Sequence, residues 1–190
     1  DYTIDRMCDL YLGFKPLRVG PGLKSGLNIR CDDAREVGAD RIVNCVSAIH
    51  TYGGENPIIV VDFGTATNLE VIDEEGVVQG GVIAPGLRLA ARAVAQAAAQ
   101  LPVIDLRAPK SVIGKNTRDA MQAGIVIGEV ARIDGLIDAV WAELGYKTRV
   151  VATGDDAHAM ASLSRRIELA DQHLTLKGLA LLRVKNRKSR

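Results

Sequence analysis

Three features of the chain predict an α/β fold. A short continuous apolar run, Ile58-Ile59-Val60-Val61, has the composition of a strand buried on both faces and breaks off at Asp62-Phe63-Gly64-Thr65. A second buried-type run, Arg149-Val150-Val151-Ala152, leads into Thr153-Gly154-Asp155-Asp156. Between them a long helical stretch, Thr117 to Leu144, carries Val130, Ile133, Leu136, Ile137, Val140, Trp141 and Leu144 at the three-and-four spacing of a buried stripe. Strands that alternate with helices in this way predict an α/β architecture, and no internal repeat or linker interrupts the pattern.

The remaining elements follow in order. Thr3 is placed to cap a short helix that ends at Leu12, with Gly13 as its stop signal. A strand is expected around Leu17-Arg18-Val19, before the turn-rich Gly20 to Gly26 segment. That segment invites a phosphate-loop reading, but Leu23 rather than Gly precedes Lys24-Ser25, so the GxxxxGK[ST] spacing fails and a structural glycine loop is expected. Ala34 to Thr51 is predicted helical. Leu69–Asp73 and Val77–Gln79 flank the turn Glu74-Glu75-Gly76 and predict a hairpin. Gly80-Gly81-Val82-Ile83-Ala84-Pro85-Gly86 then breaks the pattern before an alanine-rich helix, Leu87 to Gln100. Inside the long helix, Gly124, Gly128 and Gly135 each cost up to about 1 kcal/mol against alanine, which suggests close approach by another backbone, such as a partner subunit's. A closing helix is expected around Leu176 to Val184.

Composition narrows the function classes. Lys and Arg number 24 against 23 Asp and Glu, a net charge of +1, so the whole chain offers no electrostatic case for a nucleic-acid or acidic-membrane partner. Only the tail is biased, with Arg183, Lys185, Arg187, Lys188 and Arg190 in its last residues, and a solvated, frayed terminus is expected there. Cys8, Cys31 and Cys45 are unevenly spaced, with neither a CxxC pair nor a histidine at metal-ligand spacing. They argue for a reducing compartment and against a zinc site or a disulfide framework. No apolar run has the roughly 18 residues of a membrane span, and a cytoplasmic protein is expected. The chain starts at Asp1 without a methionine and goes straight into a helical stretch, like a piece of something longer.

Three clusters carry candidate chemistry. Asp62-Phe63-Gly64-Thr65-Ala66-Thr67 follows an apolar strand, whose carboxyl end is where open α/β sheets place ligands. Gly64 would let a phosphate approach the backbone, Thr65 and Thr67 offer hydroxyls, and Asp62 can hold a cation; a polar strand-to-turn junction is the competing explanation. In Gly38-Ala39-Asp40-Arg41, Asp40 could accept a proton from a substrate hydroxyl while Arg41 binds a carboxylate; alone, the pair could equally be helix-surface charges. In Gly114-Lys115-Asn116-Thr117, Asn116 or Thr117 is a natural N-cap at a helix end that attracts anions. His50, His158 and His173 fall in no triad or metal motif.

Taken together and in order, these blocks resemble the type III pantothenate kinases: Gly38 to Asn44, Val61 to Thr67, Gly80 to Leu87, Leu101-Pro102, Ser111 to Thr117, Ala120 to Gly124, Ala152-Thr153-Gly154 and Leu174 to Leu179. The resemblance implies the duplicated ribonuclease-H-like fold of the actin and sugar kinase superfamily, with the first of its two domains incomplete. On that scheme residues 1–60 are the remainder of the N-terminal domain and 61–190 the C-terminal one. It further implies ATP-dependent phosphorylation of pantothenate in coenzyme A biosynthesis, with Mg²⁺, a monovalent cation (K⁺ or NH₄⁺) and a homodimer. By motif, Asp40 resembles the general base, and Gly38, Ala39 and Arg41 resemble pantothenate contacts. Asp62 resembles the monovalent-cation ligand, Gly64, Thr65 and Thr67 the phosphate side of the ATP site, and Gly154 its adenosine side. Thr117 matches a substrate contact that crosses the dimer interface.

The departures have consequences of their own. The family's opening D-x-G-N-T hairpin, which grips the ATP phosphates, has no counterpart in the chain. Cys31 stands where a substrate-facing Tyr is usual, Asp155 replaces the second Gly of T-G-G, and Asn68 replaces a common Thr. Loss of the phosphate grip predicts a poor or inactive kinase and exposed strand edges. The changes at Asp155 and Cys31 leave a non-catalytic regulator or binding protein as the alternative.

Overall fold

Ile58, Ile59, Val60 and Val61 are each wholly inaccessible to solvent, which for residues of this size is worth about 1.5–3 kcal/mol apiece. Only a central strand with helices on both faces can hide four successive side chains, and the architecture is built around that strand. In the computed structural model, residues 2–20, 22–53, 56–97 and 101–187 are described.

Helix α1 (Tyr2–Met7) runs into a π-helical turn, Cys8–Leu12, that stops at Gly13. Thr3 lies inside this helix rather than capping it. Leu17–Val19 form no strand. The edge of the sheet is taken instead by β1 (Asn28–Ile29), which pairs in parallel with β4 and is extended by a hydrogen bond from Arg30 N to Val78 O (2.8 Å). The helix expected from Ala34 is divided. Ala34–Glu36 form a 3₁₀ turn capped by Asp33, and extended backbone at Val37 and Gly38 separates it from α2 (Ala39–Tyr52).

The heart of the sheet is a meander of β2 (Ile58–Phe63), β3 (Ala66–Ile72) and β4 (Val77–Pro85). The expected hairpin closes at Gly76, but β4 does not end at the glycines. A bulge opposite Val71 and Ile72, with Gly80 at φ 136°, absorbs one residue and lets pairing continue to Pro85. Helix α3 (Leu87–Ala97) follows, and the expected extension to Gln100 lies outside the described residues. The long helix is α4 (Thr117–Gln122), a π-helical segment Ala123–Ile127, and α5 (Gly128–Leu144). Gly124, Gly128 and Gly135 have no described atom near the position a Cβ would take, so the close approach they suggested does not come from the described residues of this chain.

The chain then returns through β5 (Arg149–Gly154), α6 (Ala157–Leu163), β6 (Leu169–Ala170) and α7 (Leu174–Lys185). Strand order is β1-β4-β3-β2-β5-β6, and β3 alone runs against the others. Arg183 and Lys185 belong to the last turn of α7, where cations suit the helix C-terminus, so this part of the basic tail is ordered; residues 188–190 lie outside the described set. The expected division at residues 60 and 61 falls inside β2, whose pairing runs unbroken from Ile58 to Phe63.

The two faces of the sheet bury different layers. Val61, Phe63, Leu69, Val71 and Val150 pack with Ile133 and Ile137 of α5 and Met160 of α6. Ile58, Val60, Ile72 and Val151 pack with Cys45 and Ala48 of α2 and Leu174 of α7. Among the described residues no helix is long and apolar enough to cross a membrane.

Candidate active site

Because side chains alternate across a strand, β2 sends Asp62 to the α2 side and Phe63 to the α5 side. Asp62 is paired in register with Asn68 on β3 and with Thr153 on β5, so three polar residues form one row across the sheet beneath α2. From above, Asn44 Nδ2 donates to Asp62 Oδ2 (2.8 Å), and Thr175 Oγ1 of α7 donates to Asn44 Oδ1 (2.7 Å). Burial raises the Asp62 pKa against the lowering by Asn44, and the charges of Asp40 and Asp155 raise it further. Asp62 and Asp155 thus stand at and just beyond the carboxyl ends of two parallel strands, with Asp40 of α2 within electrostatic reach of Asp62.

Asp40 is exposed in the first turn of α2, where its Oδ1 accepts the backbone N–H of Arg41 (2.9 Å). Gly38 precedes it so closely that a Cβ there would stand 2.6 Å from Asp40 Oδ1. Ala39, beside them, is exposed. Arg41 turns inward to Glu70 on β3, with Nε at 2.5 Å from Oε1 and Nη2 at 2.8 Å from Oε2. The hydrogen bond to Glu70 raises the Arg41 pKa, while burial raises that of Glu70 against the lowering by Arg41. The structure brings Asp40, Arg41 and Glu70 together, with half-buried Cys31 within electrostatic reach of Arg41.

The turn between β2 and β3 exposes Gly64 and Thr65. Gly64 N–H closes the turn onto Ala66 O (3.1 Å), which leaves Thr65 as the donor facing outward. With Phe63, Arg88, Leu89, Arg92, Asp155 and Asp156, these residues line a cleft of about 330 Å³. Gly154, which precedes Asp155, has φ 94°, and a Cβ there would stand 2.5 Å from Phe63 O and 2.8 Å from Asp62 Oδ1. Arg88 Nη2 meets Asp156 Oδ1 across the cleft at 3.1 Å.

Two expected residues lie elsewhere. Thr67 is fully buried on the α5 side, and its hydroxyl donates to Glu129 Oε1 (2.7 Å). It cannot face a nucleotide, because the alternation that directs Asp62 and Asn68 toward α2 directs Thr67 the other way. Thr117 opens α4 beyond the N-cap Asn116. It belongs to the layer across the sheet from Asp40, so one copy of the chain does not join the two.

The sequence reading missed Glu70, Asn44, Thr153, Thr175, Arg88 and Arg92. Asn44, Thr153 and Thr175 lay within the blocks that carry the resemblance, and the two arginines form an i,i+4 pair on the helix that follows Gly80–Gly86.

The order β4-β3-β2-β5-β6 with β3 alone reversed is the ribonuclease-H-like arrangement, and an acidic group at its strand ends beside an arginine-lined cleft defines the class: a phosphotransferase of α/β architecture. The family described as type III pantothenate kinase matches residues 1–139. A type III pantothenate kinase of Bacillus cytotoxicus is 48% identical over 185 residues, which are 97% of this chain and 70% of the relative. Among solved structures, a Baf family transcriptional activator from Campylobacter jejuni aligns with a TM-score of 0.59 at 20% identity, covering 94% of this chain and 87% of the other, and shares the fold. The chain belongs to the type III pantothenate kinase family.

Proposed function

We propose that the chain phosphorylates the terminal hydroxyl of pantothenate with ATP, giving 4'-phosphopantothenate, the first step of coenzyme A biosynthesis. The observation that carries the reading is the convergence of Asp40 and Asp62, each within electrostatic reach of the other, beside the Gly64–Thr65 turn. Exposed Asp40 accepts the proton of the attacking hydroxyl. Thr65, Arg88 and Arg92 receive the phosphates of the nucleotide in the cleft, and Gly154, where β5 ends beside β2, belongs to its adenosine side. Gly38, Ala39, Arg41 and Cys31 shape the acceptor side. Phosphoryl transfer asks for little beyond positioning and charge neutralisation, and these residues supply both.

The donor set fits a monovalent cation at Asp62. Asn68 Oδ1 and Thr153 Oγ1 are buried without a hydrogen-bond partner, and both flank Asp62 in its cross-strand row. Such a cation, K⁺ or NH₄⁺, would offset phosphate charge. Among the described residues no group of three or more His, Cys, Asp or Glu could hold a metal, so Mg²⁺ is proposed to arrive on the ATP phosphates, as this ion commonly does. A homodimer is supported by the exposed glycine face of α5 and by Thr117, which a second copy could bring to the acceptor. The division into residues 1–60, the remainder of an N-terminal ribonuclease-H-like domain, and 61–190, the C-terminal one, is retained as a proposal. Three free cysteines support a reducing, cytoplasmic setting.

Incubation with ATP, Mg²⁺, K⁺ and pantothenate, followed by mass spectrometry, tests the reading. Product above background that disappears in Asp40→Asn is expected. Absence of product together with absence of a pantothenate-induced thermal shift would overturn it.

A further inference from the structure

Asp62 uses only one of its two oxygens inside the chain. Its Oδ2 accepts from Asn44 Nδ2 at 2.8 Å, and among the described residues its Oδ1 accepts no hydrogen bond. Oδ1 faces the strand end instead: a Cβ on Gly154 would stand 2.8 Å from it and one on Gly64 3.8 Å. Asn44, at 1% exposure, is itself directed. Its Oδ1 accepts the Thr175 hydroxyl at 2.7 Å, so the amide turns its NH₂ end to the carboxylate. Turned around, it would set oxygen against oxygen, two acceptors with no proton between them. The selecting hydroxyl is fixed by its helix. Asp171 ties the start of α7 to the end of α2, accepting from Tyr52 Oη (2.8 Å) and from Lys177 Nζ (2.6 Å), and Gly178 lies against Val43, the neighbour of Asn44.

We infer that Thr175, acting through Asn44, is a positioning residue for the monovalent cation: it holds Asp62 with Oδ2 engaged and leaves Oδ1 free to bind the ion. The inference rests on the cation reading of Asp62 and deepens it. Neither Thr175 nor Asn44 needs to touch the ion. Partners behind a ligand fix its rotation, and their removal commonly weakens metal binding by about tenfold to a hundredfold. Without the Thr175 hydroxyl, the buried amide loses the bond that orients it, and either end can meet the carboxylate. Asp62 then loses its fixed rotation. The other oxygens of its row, Asn68 Oδ1 and Thr153 Oγ1, are unchanged, so ion binding weakens without being abolished.

Melting of the chain across a series of K⁺ concentrations, with ionic strength kept constant by tetramethylammonium chloride, reads ion binding without turnover. K⁺ is expected to raise the melting temperature of the wild type and not that of Asp62→Asn. Thr175→Val, which keeps the shape and removes the hydroxyl, is expected to raise the half-saturating K⁺ concentration by about tenfold, and Thr175→Ser to restore it. Because the two bonds act in series, Asn44→Ala is expected to match Thr175→Val, and the double variant to exceed neither. Circular dichroism establishes that each variant is folded, and Thr175→Ala replaces the Val variant should that one fail to fold. A Thr175→Val chain that melts lower at every K⁺ concentration yet keeps the wild-type half-saturation has lost only packing. That result overturns the inference while leaving the cation site standing. A wild type that K⁺ does not stabilise, or an Asp62→Asn variant that it stabilises equally, overturns the cation site and the inference with it.

Discussion

Asp62 and Thr67 sit in the same short motif, yet the sheet sends them to opposite faces, and their substitutions should behave differently. Thr67 Oγ1 supplies a buried hydrogen bond to Glu129, whose other oxygen is paired with Arg132. Thr67→Val should therefore cost about 1–3 kcal/mol of stability and leave the affinity for an ATP analogue unchanged; weaker nucleotide binding by a folded variant would return Thr67 to the site. Asp62 is the reverse case. Burial raises its pKa despite the hydrogen bond from Asn44, so the folded state prefers the neutral acid. The stability this group contributes is full below its unfolded pKa and is lost as pH rises through the higher folded value. Asp62→Asn should consequently melt at a higher temperature than wild type at neutral pH. The difference should vanish near about pH 3, below the ordinary carboxylate range, where the wild-type acid is protonated in both states. Equal melting temperatures at every pH would contradict this.

At the scale of elements, the site depends on how closely α7 lies against α2. Gly178 faces Val43 so tightly that an added Cβ would stand 2.8 Å from Val43 Cγ1 and also meet the Val43 carbonyl. Two bonds in series, Thr175 to Asn44 and Asn44 to Asp62, run from this packing to the strand end. Gly178→Ala should cost about 1–3 kcal/mol through overpacking, several degrees in a thermal melt. On the other side of the cleft, α3 presents Arg88 and Arg92 one turn apart. Loss of either guanidinium, as in Arg92→Ala, should weaken nucleotide binding by about tenfold, the lower end of what a hydrogen bond to a charged group is worth. Titration with a non-hydrolysable ATP analogue measures it, and an unchanged affinity would exclude α3 from the phosphate side.

Across the whole molecule, apolar exposure is concentrated in the first residues. Tyr2, Leu10 and Tyr11 are 73%, 72% and 74% exposed, and Ile4, Met7, Leu12 and Phe14 are also largely open. Contiguous apolar surface of this kind promotes association, and a net charge of +1 offers little repulsion to oppose it. Sedimentation velocity should show a coefficient that rises with concentration, and the double substitution Leu10→Glu, Tyr11→Glu should reduce the rise. An unchanging monomer across the accessible range would show that this surface is not adhesive.

The amino-acid sequence by itself determined the α/β class, the central strand, and the turn at its end that holds Gly64 and Thr65. Each of these rests on short-range physics: an apolar run that must be buried on both faces, a turn that needs small residues, a motif whose members adjoin. Its errors came where longer-range effects govern. Leu17–Val19 had strand-like residues but no ladder to join, and β4 passed through glycines because a bulge preserved its pairing with β3. The tertiary structure alone decided which face each strand residue takes, and with it the exclusion of Thr67 and the row of Asn68, Asp62 and Thr153. It also decided the partner of Arg41. Glu70 lies 29 residues away in the chain and, read along β3, is an ordinary polar residue in an apolar strand. Only strand register and the descent of α2 onto the sheet bring the two charges together, because a buried carboxylate is tolerable only where a cation is delivered to it.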